Sequence, residues 1–489
     1  MKKNLWIWAL AALSMTACTS EDAPSQDQVV TENDFESPDG RVVVQLGAEN
    51  SASVSVSRAI GPVEGENIIA LTELGIFAID RNVDLTEQQT INRITTEWGD
   101  WPNTIDYCLL KNVKAQGAKT AETGFNKDDA DDNTVAPLDP KVNTGKRITL
   151  YDTNASTPHA VYYYPIQGSH MYNFYGYHPR QDDGKITLEN GVPRVSIALD
   201  GNVDLITGIA QPAPTVDEGD IYVTEHSQAS NGELVSPKKG TSGVDIDGYN
   251  AKYIRKIKYS NWIIDKWDDK QTDDNLKLAA DKKPFVPMIS FGHRLTRLKF
   301  QIITAKEQAG EGDQSDSPGG DREDATELRV RNVKLMNAHT VARLYIQPDM
   351  RLEYIERTES GMNMIKDNTD EEDVWVDADN IKPQKYNDDP DHEYITAGYL
   401  MVPATNQISD YAEAPYKIAL TVVSKNSQGV PQSQDIVLDL KDKNKNQLAF
   451  LPGKSYNIRI ALYALQEVNV SAELTPWDDD TEDVYLPVE

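Results

Sequence analysis

Apolar residues in this chain recur with a period of two, and that pattern restricts its fold more than any other feature. Val42, Val44 and Leu46 share one face of "RVVVQL", and Ile418, Leu420 and Val422 share one face of "YKIALTVVS". Tyr456, Ile458, Ile460 and Leu462 do the same in "SYNIRIALYAL", as do Val468, Val470, Ala472 and Leu474 in "VNVSAELTPW". Successive side chains of a strand point to opposite faces, so alternation puts every second residue in a core, whereas an amphipathic helix needs a period of 3.6. Segments of sustained helical period are few, and Gly, Pro, Asn and Asp punctuate the runs. That combination predicts an all-β chain of antiparallel β-sandwiches.

Other stretches fit the same scheme. In "LTELGIFAID", Leu74, Ile76 and Ala78 alternate with Gly75, Phe77 and Ile79, so the strand is apolar on both sides and central in its sheet. Further strands are predicted in "AVYYYPI" at 160–166, "MYNFYGYHP" at 171–179, "RVSIALD" at 194–200, part of "DGYNAKYIRKIKYS", "MISFGHRLTRLKFQIITA" at 288–305 and "ATELRVRNVKLMNA". From about 207 to 283 the chain turns polar and charge-rich and reads as insertion and linker. With 489 residues it is too long for one ordinary core, and two domains are expected.

The formal charge of −30 opposes contact with phosphate backbones and anionic lipid, which excludes nucleic acid as a partner. The N-terminus carries a local signal of its own. Lys2 and Lys3 precede an apolar stretch from Leu5 to Leu13, and small residues lead to Cys18 in "SMTAC". The stretch is too short to span a bilayer and reads as an export signal over residues 1–17. It is similar to a lipoprotein signal, with Cys18 the acylated first residue of the exported form. Cys108 is then the single remaining cysteine, so the fold relies on cores and sheets rather than a disulfide. Residues 19–40 are polar and acidic without sustained period, as in a flexible leader.

No catalytic motif emerges. The histidines His159, His170, His178, His226, His293, His339 and His392 are scattered, with neither HExxH nor CxxC to suggest a metal. The chain also lacks GxSxG, GxxxxGK[ST] and GxGxxG, so neither an elbow nucleophile nor a phosphate cradle is indicated. The chain is therefore expected not to be an enzyme and to need no cofactor or metal. Of the acidic stretches "DDADDNT" at 128–134 and "GDQSDSPGGDRED" at 312–324, the first has Thr134 in place of the glycine of a calcium loop and no closing glutamate, and both read as solvated loops. His293 reads as a hydrogen-bonded structural residue. Tyr162, Tyr163, Tyr164, Tyr172, Phe174, Tyr175 and Tyr177 could stack on sugar rings, but adjacent strand residues face opposite ways, so part of this set must be core.

Several of these features occur together in one family. The signal, "VSRAIGP", "LTELGIFAI", "YNFYGYHP", "FGHRLTRLKFQI", "FLPGKSYNIRIAL" and a closing strand that reaches Trp477 follow in an order that resembles the fimbrillins, the subunits of type V pili. The acidic insertions near 207–283 and 306–326 are not covered by the resemblance. It implies two transthyretin-like, Greek-key sandwich domains, at 59–283 and 284–489, behind an acylated leader with a removable first strand at 18–58. It further implies export to the outer membrane surface and cleavage by an Arg-specific protease between Arg58 and Ala59. Head-to-tail assembly with other pilus subunits would follow by donor-strand exchange, leading to adhesion. Val484, Leu486 and Val488 in "DVYLPVE" share a face and are the donor-strand candidate. Val54 and Val56, just before Arg58, would belong to the strand that leaves. The alternative is a surface glycan-binding lipoprotein that stays acylated and has no need of a cut at Arg58.

Overall fold

The computed structural model of the chain describes residues 36, 37, 39–49, 73–117, 146–151, 160–166, 170–210, 222, 223, 238, 239, 249–268, 286–304, 328–367, 374–387, 389, 392–425, 429–440, 447–464 and 467–475. These are mostly β-strands. In chain order the first part contains β1 (Leu46–Glu49), β2 (Leu74–Asp80), β3 (Cys108–Gly117), β4 (Lys146–Tyr151), β5 (Tyr172–His178), β6 (Ile186–Glu189), β7 (Val192–Ala198), β8 (Ile206–Ala210), β9 (Tyr222–Val223), β10 (Lys238–Lys239) and β11 (Met288–His293). Helix α1 (Gln88–Asp100) follows β2, and helix α2 (Ala251–Asp268) follows β10. The remainder contains β12 (Leu295–Thr304), β13 (Arg329–Met336), β14 (His339–Tyr345), β15 (Leu352–Arg357), β16 (Met362–Asn363), β17 (Ile365–Lys366), β18 (Gly398–Pro403), β19 (Lys417–Lys425), β20 (Pro431–Asp439), β21 (Ser455–Ala464) and β22 (Glu467–Thr475).

The first sheet closes on itself in the order β1-β11-β8-β5-β2-β3-β4, with β4 pairing back to β1. The pairing of β1 with β11 is parallel, and the other pairs of this ring are antiparallel. One face of β2, with Leu74, Ile76 and Ala78, enters the core inside the ring, while Phe77 and Ile79 enter a second core outside it. The alternation of the sequence is thus satisfied on both sides. Strand β5 divides in the same way: Tyr172 and Phe174 pack inward, Tyr175 and Tyr177 outward. At the close crossing of β5 and β8, Gly176 pairs with Gly208, and a Cβ on either would meet the Phe291 ring within 3 Å.

Two sheets build the later part, β17-β18-β12-β21-β22 and β16-β13-β19-β20. They share one core, to which Phe300 and Ile302 of β12, Val330 and Leu335 of β13, Ile418 and Val422 of β19 and Ile458 and Ile460 of β21 contribute. A fourth sheet, β15-β14-β7-β6, crosses between the two parts, because β7 pairs antiparallel with β14, Val195 opposite Leu344 and Ala198 opposite Val341. The outer core of the ring continues into it through Val195, Ile197, Ala342 and Leu344. Sheet membership changes at Arg294, between β11, which completes the ring, and β12. The expected boundary near 283 lies before β11.

The stretch read as insertion and linker contributes to the core. Strand β8 falls inside it, and residues 251–268 form a helix where "DGYNAKYIRKIKYS" suggested part of a strand. Tyr253, Ile254 and Ile257 recur at helical spacing and enter the ring core. Asn250 caps the helix, its Oδ1 accepting from Tyr253 N at 2.8 Å. The charged residues between them hid the period. Residues 160–166 also differ from expectation, forming an isolated bridge from Tyr163 to Val43 rather than a strand.

His339 opens β14 and is buried, accepting from Arg357 Nε at 3.3 Å, while Arg357 also pairs with Asp410. Burial and the adjacent guanidinium hold the imidazole below its ordinary value, with Asp410 opposing them. A histidine depressed in the folded state binds protons more readily when unfolded. Its stabilising effect is intact above about pH 6.5 and falls as the pH drops below that value. The melting temperature should therefore decline more steeply below about pH 6.5 in the native chain than in His339→Gln; parallel declines would refute this linkage.

Candidate assembly site

Strand β1 and the residues just before it occupy a groove that the rest of the ring leaves open. "RVVVQLGA" supplies Val42, Val44, Leu46 and Ala48 to the ring core, where they join Ile148 and Leu150 of β4 and Ile289 and Phe291 of β11. Val43 is buried as well, at 2% exposure. Both edges of the segment are paired. Leu46, Gly47 and Ala48 face Ile148, Arg147 and Lys146 antiparallel, while Gly47 and Ala48 face Met288 and Ile289 in parallel. Gly47 N donates to Pro287 O at 3.0 Å and Val44 N to Tyr162 O at 2.8 Å, and Val42 O accepts from Tyr164 N at 2.9 Å.

Burying a valine or leucine side chain fully is worth about 1.5–3 kcal/mol, so this short segment holds a large share of the ring's stability. Its position in the chain matters equally. Arg58 lies between Glu49, where β1 ends, and Leu74, where β2 begins. A break after Arg58 would therefore leave the segment in the ring through non-covalent contacts alone. Its departure would expose an apolar stripe and two rows of unpaired backbone groups on β4 and β11.

Upstream of Val42 the chain forms a turn in which Ser37 N donates to Arg41 O at 2.9 Å and Gly40 N to Ser37 O at 2.8 Å, with Gly40 at φ +79°. Arg41 covers the Tyr163 ring at 4.0 Å and pairs with Asp39 at 2.7 Å. The Ser37 hydroxyl and the Arg41 guanidinium both hold the Asp39 carboxyl below its ordinary value, the hydroxyl having the larger effect.

The residues singled out in the sequence divide into two groups. Val42, Val44 and Leu46 come together with the groove walls. Cys18, Val54, Val56, Arg58, Ala59, Val484, Leu486 and Val488 lie outside the described residues, as do the acidic stretches 128–134 and 312–324. His293 Nδ1 lies 2.8 Å from the buried Asp204 Oδ2, in keeping with a structural histidine. Among the described residues, no three His, Cys, Asp or Glu side chains are grouped to hold a metal ion. Tyr164, Tyr172, Phe174, Tyr175 and Tyr177 are buried, and Tyr162 and Tyr163 half-buried, so core packing takes up most of the aromatic surface that sugar stacking would require. Of the two groove walls, β11 falls within the strand predicted at 288–305, whereas β4 is not among the predicted strands. A signal was available in "KRITLY", whose Ile148 and Leu150 alternate with polar neighbours.

No protein-family model matches the chain, and no curated protein matches it. Solved structures do. A candidate cell adhesion protein from Bacteroides uniformis is 13% identical, covering 90% of this chain and 100% of its own, with a TM-score of 0.38. A fimbrial protein from Bacteroides vulgatus is 14% identical, covering 89% and 99%, with a TM-score of 0.35. A fimbrilin from Porphyromonas gingivalis is 9% identical, covering 90% and 98%, with a TM-score of 0.32.

Proposed function

We propose that the chain is a subunit of a cell-surface type V pilus, assembled by exchange of β-strands between copies. The observation that carries this reading is the position of β1: a strand encoded before Arg58 closes the ring between β4 and β11 and is joined to the rest through the stretch that contains Arg58. In the proposed sequence of events, the precursor travels to the outer membrane with Cys18 acylated. An Arg-specific protease then cuts between Arg58 and Ala59, and the leader leaves. The groove so opened takes a strand from another copy, because unpaired backbone edges and an apolar stripe are a template for strand addition.

The donor must offer apolar residues at period two, which Val484, Leu486 and Val488 do, provided Pro487 sits where no ladder N–H is needed. A head-to-tail contact of this kind does not close on itself and grows a filament. Two transthyretin-like domains and a role in adhesion without catalysis belong to the same reading. The alternative of a permanently acylated glycan binder gives Arg58 no task.

The experiment is direct. Treatment of the purified precursor with an Arg-specific protease should yield filaments under electron microscopy, and Arg58→Ala should remain monomeric after the same treatment. Filaments from the Arg58→Ala variant would overturn the cleavage step.

A further inference from the structure

We propose that helix α2, through Arg255, forms a clasp that keeps the leader segment in the ring after the chain is cut, so that cutting and release are separate steps. The inference rests on the proposed departure of that segment.

Arg255 comes from a distant part of the sequence and grips the leader at two points. Its Nε and Nη2 donate to Glu36 Oε1 at 3.1 and 2.9 Å, and its Nη2 also donates to Gly40 O. These points lie on either side of the Ser37 residue that begins the turn, and Glu36 bridges back to Val42 across it. The planar guanidinium is suited to holding a carboxylate and a carbonyl together, which a lysine could not do with the same geometry.

The clasp is mounted on the part of the ring that stays. Tyr249, just before α2, bridges to Tyr172 of β5, whose N donates to Tyr249 O at 3.1 Å. Its ring meets Phe174 and Tyr253 edge to face, at 5.9 and 5.7 Å. Tyr253, Ile254 and Ile257 of α2 lie in the same core as Val42, Val44, Leu46 and Ala48. The strand pairing that closes the ring runs from Leu46 to Glu49. Glu36 to Arg41 lie upstream of the paired strand, where a peripheral segment that is not tied down frays.

The location of the clasp relative to Arg58 gives it an effect on release. The cut frees the Glu49 end of the segment, and the clasp holds the opposite end. A segment that frays from the cut end stays tethered at Glu36 and Gly40, so it re-pairs at high effective concentration and leaves only when the clasp opens. This would keep the apolar groove covered until a donor strand is present to compete for it.

Hydrogen exchange and fragment release on the full-length protein test the clasp together. In the uncut chain, Arg255→Gln and Glu36→Gln should each raise exchange at the amides of residues 42–48 by about tenfold, the effect of losing a charge-assisted hydrogen bond at a half-exposed site. Exchange in β13 and β19 should not change. After cutting, the fragment ending at Arg58 should leave each variant about tenfold sooner than the native chain, as followed by size exclusion and mass spectrometry. Arg255→Lys should restore only part of the retention. Unchanged exchange at 42–48 with normal release would overturn the clasp and leave the strand-release reading standing. Faster exchange with no release from any cut chain would overturn the release reading, and with it the clasp's role as a gate.

Discussion

A chain that starts at Ala59 will be less stable as an isolated monomer than the full-length protein by about 5 kcal/mol or more, because it lacks Val42, Val43, Val44 and Leu46, each worth about 1.5–3 kcal/mol when buried. All four are almost fully buried. Unfolded chains already bury some apolar surface, so the area estimate is an upper bound and the expected loss is set toward its lower end. The ladders add to it, since β4 and β11 would each lose their pairing with β1 and the ring would open. A loss of this size approaches the total stability of many domains, about 5–15 kcal/mol. Urea denaturation of the two chains, at concentrations too low for association, measures it. The synthetic peptide "RVVVQLGAE", residues 41–49, should restore most of the loss, and a scrambled peptide should restore none. A chain starting at Ala59 that unfolds at the same urea concentration as the full-length protein would show that the segment does not close the fold.

The second large effect concerns Phe77, the residue that ties the ring to its surroundings. Phe77 is fully buried on the outward face of β2, 6.3 Å from the near-parallel ring of Trp98 on α1 and 6.1 Å from Tyr177 on β5. It belongs to the core that also contains Val195 and Ile197 of β7 and Ala342 and Leu344 of β14. Phe77→Ala should cost about 3–5 kcal/mol, the transfer of a phenyl group plus the cavity it leaves. Because this core is built by both parts of the chain, the loss should not be confined to the ring. The β7 to β14 pairing should also lose protection, which hydrogen exchange at residues 195–198 and 341–344 would register. If only the ring amides respond, the shared sheet is held independently of the Phe77 core.

Much of this architecture could be read in the sequence, and the exceptions have identifiable causes. Strands β2, β5, β12, β19 and β21 carry their alternation openly, and β2 was recognisable as central because both of its faces are apolar. Helix α2 was not, since Tyr253, Ile254 and Ile257 are interleaved with Lys252, Arg255, Lys256 and Lys258, and a short charged window resembles a linker. In α1, Ile94 and Trp98 give only two buried positions over three turns. The pairing of β7 with β14 joins segments far apart in sequence, and nothing in either strand names its partner. The groove was half legible. The apolar face of "RVVVQL" was apparent, but that β4 and β11 form its walls depends on ring closure, a property of the tertiary fold. Arg255 shows the same limit: its partners Glu36 and Gly40 are chosen by where α2 packs, not by any local motif.

The central claim is that the leader strand leaves and a strand from another copy takes its place between β4 and β11. Cross-linking and mass spectrometry of filaments formed after cleavage address it most directly. The account predicts subunits that begin at Ala59 and contain no peptide from residues 42–49, with cross-links joining residues 484–488 of one copy to β4 or β11 of the next. Filaments whose subunits still hold residues 42–49 in that groove, or material that remains intact from an acylated Cys18, would contradict it.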